Sequence, residues 1–271
     1  MSDSELAERI EVAVGAVRAQ TEYLHREFGK AEYRLKGDGT RVTLADETIS
    51  RNIQARLAAR FPGDQFFSEE LTDTEKPVPV RSRFSWLLDP IDGTNNFILG
   101  IPHCAIALAL LEGGQPKYGV VYDHSRRTLT HGGPRFGLRE SDDPFVSLER
   151  PGHEVLIGFH RPNDPQLVSM AAAILSRYKI RGLGSATLHL AYVATGLLDG
   201  AVDFNLKSWD LAAAIPLCAA TGVDIRFLNG DVFPMTVFDL NMRRIIYVAA
   251  RPPLCAELVS LMGGAQRDRG K

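Results

Sequence analysis

The stretch that decides the reading of this chain is WLLDPIDGTNNF, Trp86 to Phe97. Trp86, Leu87 and Leu88 form an apolar run that suits a buried strand. Pro90 fixes φ near about −65°, which favours a turn, and Gly93 permits positive φ or close backbone approach. Asp89 and Asp92 therefore sit at a strand end, three residues apart on a rigid turn. Hard cations such as Mg²⁺ take oxygen ligands at about 2.0–2.1 Å in near-octahedral geometry, and a turn with two aspartates and free carbonyls supplies them. By itself the pattern also describes an ordinary surface turn, because Asp, Pro and Gly all favour turns.

Other acids lie outward from this turn. FFSEEL places Glu69 and Glu70 after a short apolar run, and KSWDLAAAI places Asp210 in the first turn of a helix with Ser208 as a candidate cap. TLADET puts Asp46 in the first turn of another helix, with Thr43 as N-cap. Taken singly, these are a solvated pair and two acids that complement a helix dipole. Taken together they are costly. Two like charges about 4 Å apart repel by roughly 4 kcal/mol at an effective dielectric near 20, so a cluster demands protons or cations.

The 271 residues suffice for one large domain or two closely packed subdomains. A formal charge of −2 gives no electrostatic argument for nucleic acid or an anionic membrane. No apolar run reaches the roughly 18–20 residues of a membrane span, and the acidic, amphipathic N-terminus is unlike a signal peptide. Cys104, Cys218 and Cys255 are odd in number and widely spaced, which points to reduced thiols in a cytoplasmic protein rather than a disulfide framework or zinc site. None of the seven histidines has H-x₃-H spacing, so they read as structural or exposed, with His189 a candidate to approach a pocket.

Apolar spacing predicts helices over residues 4–27, 43–61, 167–178, 186–198, 208–221 and 253–262, the fifth bent by Pro216. Strands are expected at 65–67, 84–88, 128–130, 145–148, 155–159, 201–204, 223–227 and 245–249, and residues 103–123 read as two strands joined by a Gly-Gly-Gln-Pro turn. Helices first, then mixed strands and helices, suit an α/β fold of α+β type with sheets layered between helices. A soft boundary near 141–152 would divide the chain into an N-terminal subdomain, 1–145, and a C-terminal one, 146–271.

With SEE (68–70), WLLDPIDGTNNF (86–97), VATGLLDGAVDF (193–204) and WDLAAA (209–214) in this order, the chain from about residue 5 to 262 resembles the inositol monophosphatase family. The resemblance implies a layered α-β-α-β-α sandwich, usually a homodimer, and a Mg²⁺-dependent, lithium-sensitive phosphatase acting on inositol monophosphate or a similar small polyol phosphate. Histidinol phosphate, fructose 1,6-bisphosphate and a 3′-phosphorylated nucleotide are alternative substrates, and an interaction module, for example with transcription machinery, is an alternative role. By this resemblance Glu69, Asp89 and the Ile91 carbonyl hold one Mg²⁺, and Asp89, Asp92 and Asp210 hold a second. Glu69 also faces a third, weaker metal. Thr94 and Asp46 orient the attacking water, and the Gly93 and Thr94 amides bind phosphate oxygens. Gly184, Ser185, Ala186 and Asp203 line the side that holds the substrate hydroxyls. Asp203 stands where many members have glutamate, residues 130–143 are shorter than usual, and Lys36 resembles a family lysine near the metal loop.

Overall fold

The computed structural model describes residues 3–37, 39–70, 76–146, 152, 154–162 and 165–267. Of the stretch where a subdomain boundary is expected, 147–151 lie outside these residues, as do part of the 145–148 strand and His153.

Alternation along the strands builds the layers. In Phe84–Asp92, Trp86 and Leu88 face one way and Leu87 the other. In the neighbouring strand Ala105–Glu112, Ile106, Leu108 and Leu110 share the first face, and Ala105, Ala107 and Ala109 the second. The large residues pack against the helices Asp3–Arg18 and Leu44–Arg60 through Val17, Ile49, Ile53 and Leu57. The small residues admit the helices Ala186–Thr195, Ser208–Ala212 and Ala214–Ala220 at close range. Gly119, in the strand Gln115–Asp123, marks the closest approach: a Cβ there would stand 1.7 Å from the Ala213 carbonyl oxygen.

Behind those middle helices lies a second sheet. Its inner face carries Ala201, Tyr247 and Ala249, and its outer face carries Ile157, Val202, Phe204 and Val248. The outer face packs against the helices Pro165–Arg177 and Leu254–Arg267 through Ile174, Leu258 and Met262. The result is an α/β fold of five alternating layers, helix–sheet–helix–sheet–helix.

Among the described residues the first sheet has seven strands, in the order Asp143–Pro144, Gly137–Glu140, Thr128–Gly133, Gln115–Asp123, Ala105–Glu112, Phe84–Asp92 and Gln65–Ser68. It is antiparallel except for the last pair. The second has five, ordered Lys179–Arg181, Leu156–Phe159, Gly200–Leu206, Ile245–Ala250 and Asp224–Phe227, the first three parallel.

Several local expectations differ from the fold. The helix expected over 4–27 is two, Asp3–Arg18 and Thr21–Glu27. The one expected over 208–221 breaks at Ala213, because Pro216 has no N–H to bond the carbonyl four residues earlier, that of Ala212. Ser208 is the first residue of that helix rather than its cap; Lys207 holds the cap position. The hairpin turn is Gly113-Gly114 alone, both at positive φ, so Gln115 and Pro116 already belong to the return strand.

Candidate metal centre and active site

The strand Phe84–Asp92 ends in the Asp89–Asp92 turn, and its register against Ala105–Glu112 slips between these two residues. Such a bulge re-aims side chains, here turning both carboxylates toward the site. Gly93 follows at φ +85°, and a Cβ there would lie 2.9 Å from the His103 oxygen and 3.1 Å from that of Gly184. Only glycine fits both the conformation and the space. The helix Thr94–Leu99 starts directly after it, and Thr94 Oγ1 donates to the Ile91 carbonyl at 2.9 Å.

Glu69 leaves the end of the adjacent parallel strand, and Asp210 comes from the first turn of Ser208–Ala212, where its Oδ2 accepts the Lys207 amide at 2.7 Å. Glu69, Asp89 and Asp210 each bring a carboxylate oxygen within 4.8 Å of the others. Burial first, then the charges of Glu69, Asp92 and Asp210, push the Asp89 carboxyl well above the usual carboxylate range. Asp210 is raised in the same way, by burial and then by Asp92 and Glu69.

Asp92 Oδ2 accepts the Ser185 hydroxyl and the Thr187 amide, both at 2.6 Å, which ties the turn to the start of Ala186–Thr195. Asp46 opens the helix Leu44–Arg60 as half of a capping box, its Oδ2 accepting Thr43 N at 2.8 Å and Thr43 Oγ1 at 2.6 Å. Burial is the main cause that lifts its pKa to about 7. Burial, followed by Glu69, lifts Glu70 to about 8. Lys36 Nζ lies 2.6 Å from both Glu69 Oε1 and Glu70 Oε1 and offsets part of this charge. The remaining donors are carboxylate oxygens throughout, a set that suits a hard divalent cation such as Mg²⁺ over a soft metal.

A cavity of about 280 Å³ opens beside these acids. Glu69, Asp92, Gly93, Thr94, Gly184, Ala186 and Asp210 line it, together with His160, Asn205, Lys207, Arg244 and Arg41. Asp46, Asp89 and Ser185 are buried next to this space rather than on its wall. Asp203 also lies off the wall: it is fully buried, with Oδ2 2.5 Å from His160 Nδ1 and Oδ1 accepting the Phe204 and Asn205 amides. His189 is fully buried, with Nδ1 3.9 Å from Asp203 Oδ2. Sequence reasoning missed His160, Arg41 and Arg244. His160 follows a strand parallel to the one that carries Asp203, where ligands gather at the carboxyl ends, but that pairing is seen only in the fold.

The sequence profile of the inositol monophosphatase family matches residues 5–262. The chain belongs to that family. As an inositol monophosphatase family member it is similar to inositol-1-monophosphatase of Mesorhizobium japonicum, at 32% identity over 91% of this chain and 97% of the relative. It is 29% identical to the Nus factor SuhB of Pasteurella multocida, covering 88% of each chain. The crystal structure of the extragenic suppressor protein suhB from Bartonella henselae superposes with a TM-score of 0.78 at 27% identity, over 93% of this chain and 97% of that one. Family membership places the chain among the metal-dependent phosphatases of this superfamily.

Proposed function

We propose that this family member is a Mg²⁺-dependent phosphomonoesterase acting on inositol monophosphate or a similar small polyol phosphate. The observation that carries the reading is the convergence of Glu69, Asp89 and Asp210 within 4.8 Å beside an open cavity. Glu69, Asp89 and the Ile91 carbonyl would hold one ion, and Asp89, Asp92 and Asp210 a second, with Glu69 also facing a third, weaker site. Bound Mg²⁺ supplies charge that activates water and stabilises the leaving oxygen.

The chain's own groups position and neutralise. Thr94 and Asp46 set the attacking water in line, the Gly93 and Thr94 amides hold phosphate oxygens, and Gly184 and Ala186 line the wall beside the substrate, with Ser185 buried behind it and bonded to Asp92. Phosphate monoesters hydrolyse so slowly unaided that enzymes reach accelerations near ~10²¹, which puts most of the demand on electrostatics. The three free, buried cysteines fit a cytoplasmic setting, and we place the protein there as a homodimer inhibited by lithium.

The test is phosphate release from inositol 1-phosphate, histidinol phosphate, fructose 1,6-bisphosphate and a 3′-phosphonucleotide, with and without Mg²⁺. Release from the polyol esters that stops on chelation supports the reading; no release from any of them removes it. The likeness to a Nus factor favours a second reading, an interaction role beside catalysis. Loss of phosphatase activity in Asp89→Asn with a cellular role intact would support that second reading.

A further inference from the structure

Thr187 is bonded to two of the acids of the candidate metal centre. It is the second residue of the helix Ala186–Thr195, which Ser185 caps by accepting the Leu188 amide at 3.2 Å. First-turn amides have no partner within their own helix, and that of Thr187 donates to Asp92 Oδ2 at 2.6 Å. A helical threonine commonly turns its hydroxyl back onto a carbonyl three or four residues earlier. For Thr187 those residues are Gly184 and Leu183, which precede the helix, and the Leu183 carbonyl already accepts Asn96 Nδ2 at 2.7 Å. The hydroxyl crosses instead to another element, where Thr187 Oγ1 donates to the Asp210 carbonyl at 3.0 Å. One fully buried residue thus holds the Asp92 carboxylate with its backbone and the Asp210 backbone with its side chain.

The Asp210 end needs such a tie. Its helix, Ser208–Ala212, is five residues long and breaks at Ala213. So short a helix is not held by its own ladder, because fixing the first turn is unfavourable and few bonds follow it. Burial of Trp209, Leu211 and Ala212 keeps it in the core, but apolar contact is non-directional and sets its rotation and slide only weakly. The bond from the Lys207 amide to Asp210 Oδ2 moves with the segment. Bonds from Lys207 Nζ and the Ser208 amide to Leu240 and Met242 anchor the start of the segment, before Asp210. The Thr187 hydroxyl acts on Asp210 itself: it fixes the carbonyl, and the carboxylate side chain leaves the neighbouring Cα.

We infer that Thr187 is a positioning residue, whose hydroxyl sets Asp210 against Asp92 so that the two carboxylates converge on one ion. The inference rests on the metal reading of the site and adds a residue to it. Mg²⁺ demands near-octahedral oxygen ligands at about 2.0–2.1 Å, whereas Ca²⁺ accepts irregular sets at about 2.3–2.6 Å. A carboxylate displaced by a fraction of an ångström therefore penalises Mg²⁺ more than Ca²⁺. Thr187 thereby tunes which cation the site prefers, without touching the ion.

Thr187→Val keeps the shape and removes the hydroxyl, while Thr187→Ala and Thr187→Ser differ from each other by the hydroxyl alone, so that pair serves even where Thr187→Val disturbs the fold. Mg²⁺ and Ca²⁺ are titrated calorimetrically onto the whole protein after chelation. Thr187→Val and Thr187→Ala are expected to bind Mg²⁺ about tenfold more weakly than the wild type, the scale of one hydrogen bond. Their Ca²⁺ binding should stay within about threefold of the wild type, because Ca²⁺ tolerates the displaced ligand. Thr187→Ser should restore Mg²⁺ binding. Equal losses for the two cations, as a merely structural defect would give, or a Thr187→Ser as weak as Thr187→Ala, overturn the role. Hydrogen exchange of the chelated proteins reads the tie directly: amides 208–213 should exchange about tenfold faster in Thr187→Ala than in Thr187→Ser. Equal exchange there overturns the tie. A wild type that binds no Mg²⁺ removes the metal reading, and exchange, which needs no ion, still decides whether Thr187 positions Asp210.

Discussion

One oxygen of Asp92 holds Ser185 and Thr187, and the other is left for the cavity. Asp92→Asn keeps an oxygen that can accept both bonds while it removes the negative charge. The variant is expected to retain its circular dichroism spectrum and lose at least about a hundredfold in kcat/KM at saturating Mg²⁺, the scale of losing one electrostatic group in a reaction centre. Near-normal turnover would refute the role given to Asp92. Gly93→Ala should harm fold and activity together, because it strains a φ of +85° and drives a methyl against the His103 carbonyl. Thermal melting and the same assay would show whether both fall. The acids at 69, 89, 92 and 210 were legible because turn chemistry and motif order mark them. His160 was not. It is a single histidine after a short strand, and only the register Gly158↔Ala201 and Phe159↔Val202 brings it level with Asp203.

Secondary-structure elements meet most tightly where Gly119 touches Ala213, at the break between Ser208–Ala212 and Ala214–Ala220. The neighbour is backbone on both sides, so an added methyl cannot be accommodated by a rotamer change. Gly119→Ala is expected to cost about 1–3 kcal/mol or more, the range for overpacking a dense core. The resulting shift should carry Asp210 with it. Thermal denaturation and Mg²⁺ affinity should therefore fall together, and an unchanged melting temperature would contradict the close approach. Sequence periodicity found these helices because their buried faces repeat. It did not place the break, since the proline that causes it lies three residues further on, at Pro216. The small residues at 105, 107 and 109 read as strand without revealing that they make room for a helix.

Over the whole molecule, the raised carboxyl pKa values make the metal-free protein sensitive to base. Asp46 at about 7, Glu70 at about 8, and Asp89 and Asp210, held well above the usual carboxylate range, bind protons in the folded state that the unfolded chain has released above its values near about 4. Stability therefore falls as pH rises from the unfolded values through the folded ones. With a chelator present, the melting temperature should drop between pH 5 and pH 8, and added Mg²⁺ should restore more at pH 8 than at pH 5. The opposite order would reject the acidic cluster as the cause. The order of layers was readable from alternation and helical spacing, but the meeting of the acids was not, because they leave different elements, four with the first sheet and one on a middle helix. No single sheet with its helices holds the complete set: Asp46, Glu69, Asp89 and Asp92 come with the first, and Asp210 arrives only when the middle helices dock. Ions that need all of them act as a latch closed after the door. In stopped-flow refolding, Mg²⁺ should leave the folding limb nearly unchanged and slow the unfolding limb, so that occupancy lengthens the lifetime of the native chain without hastening its birth.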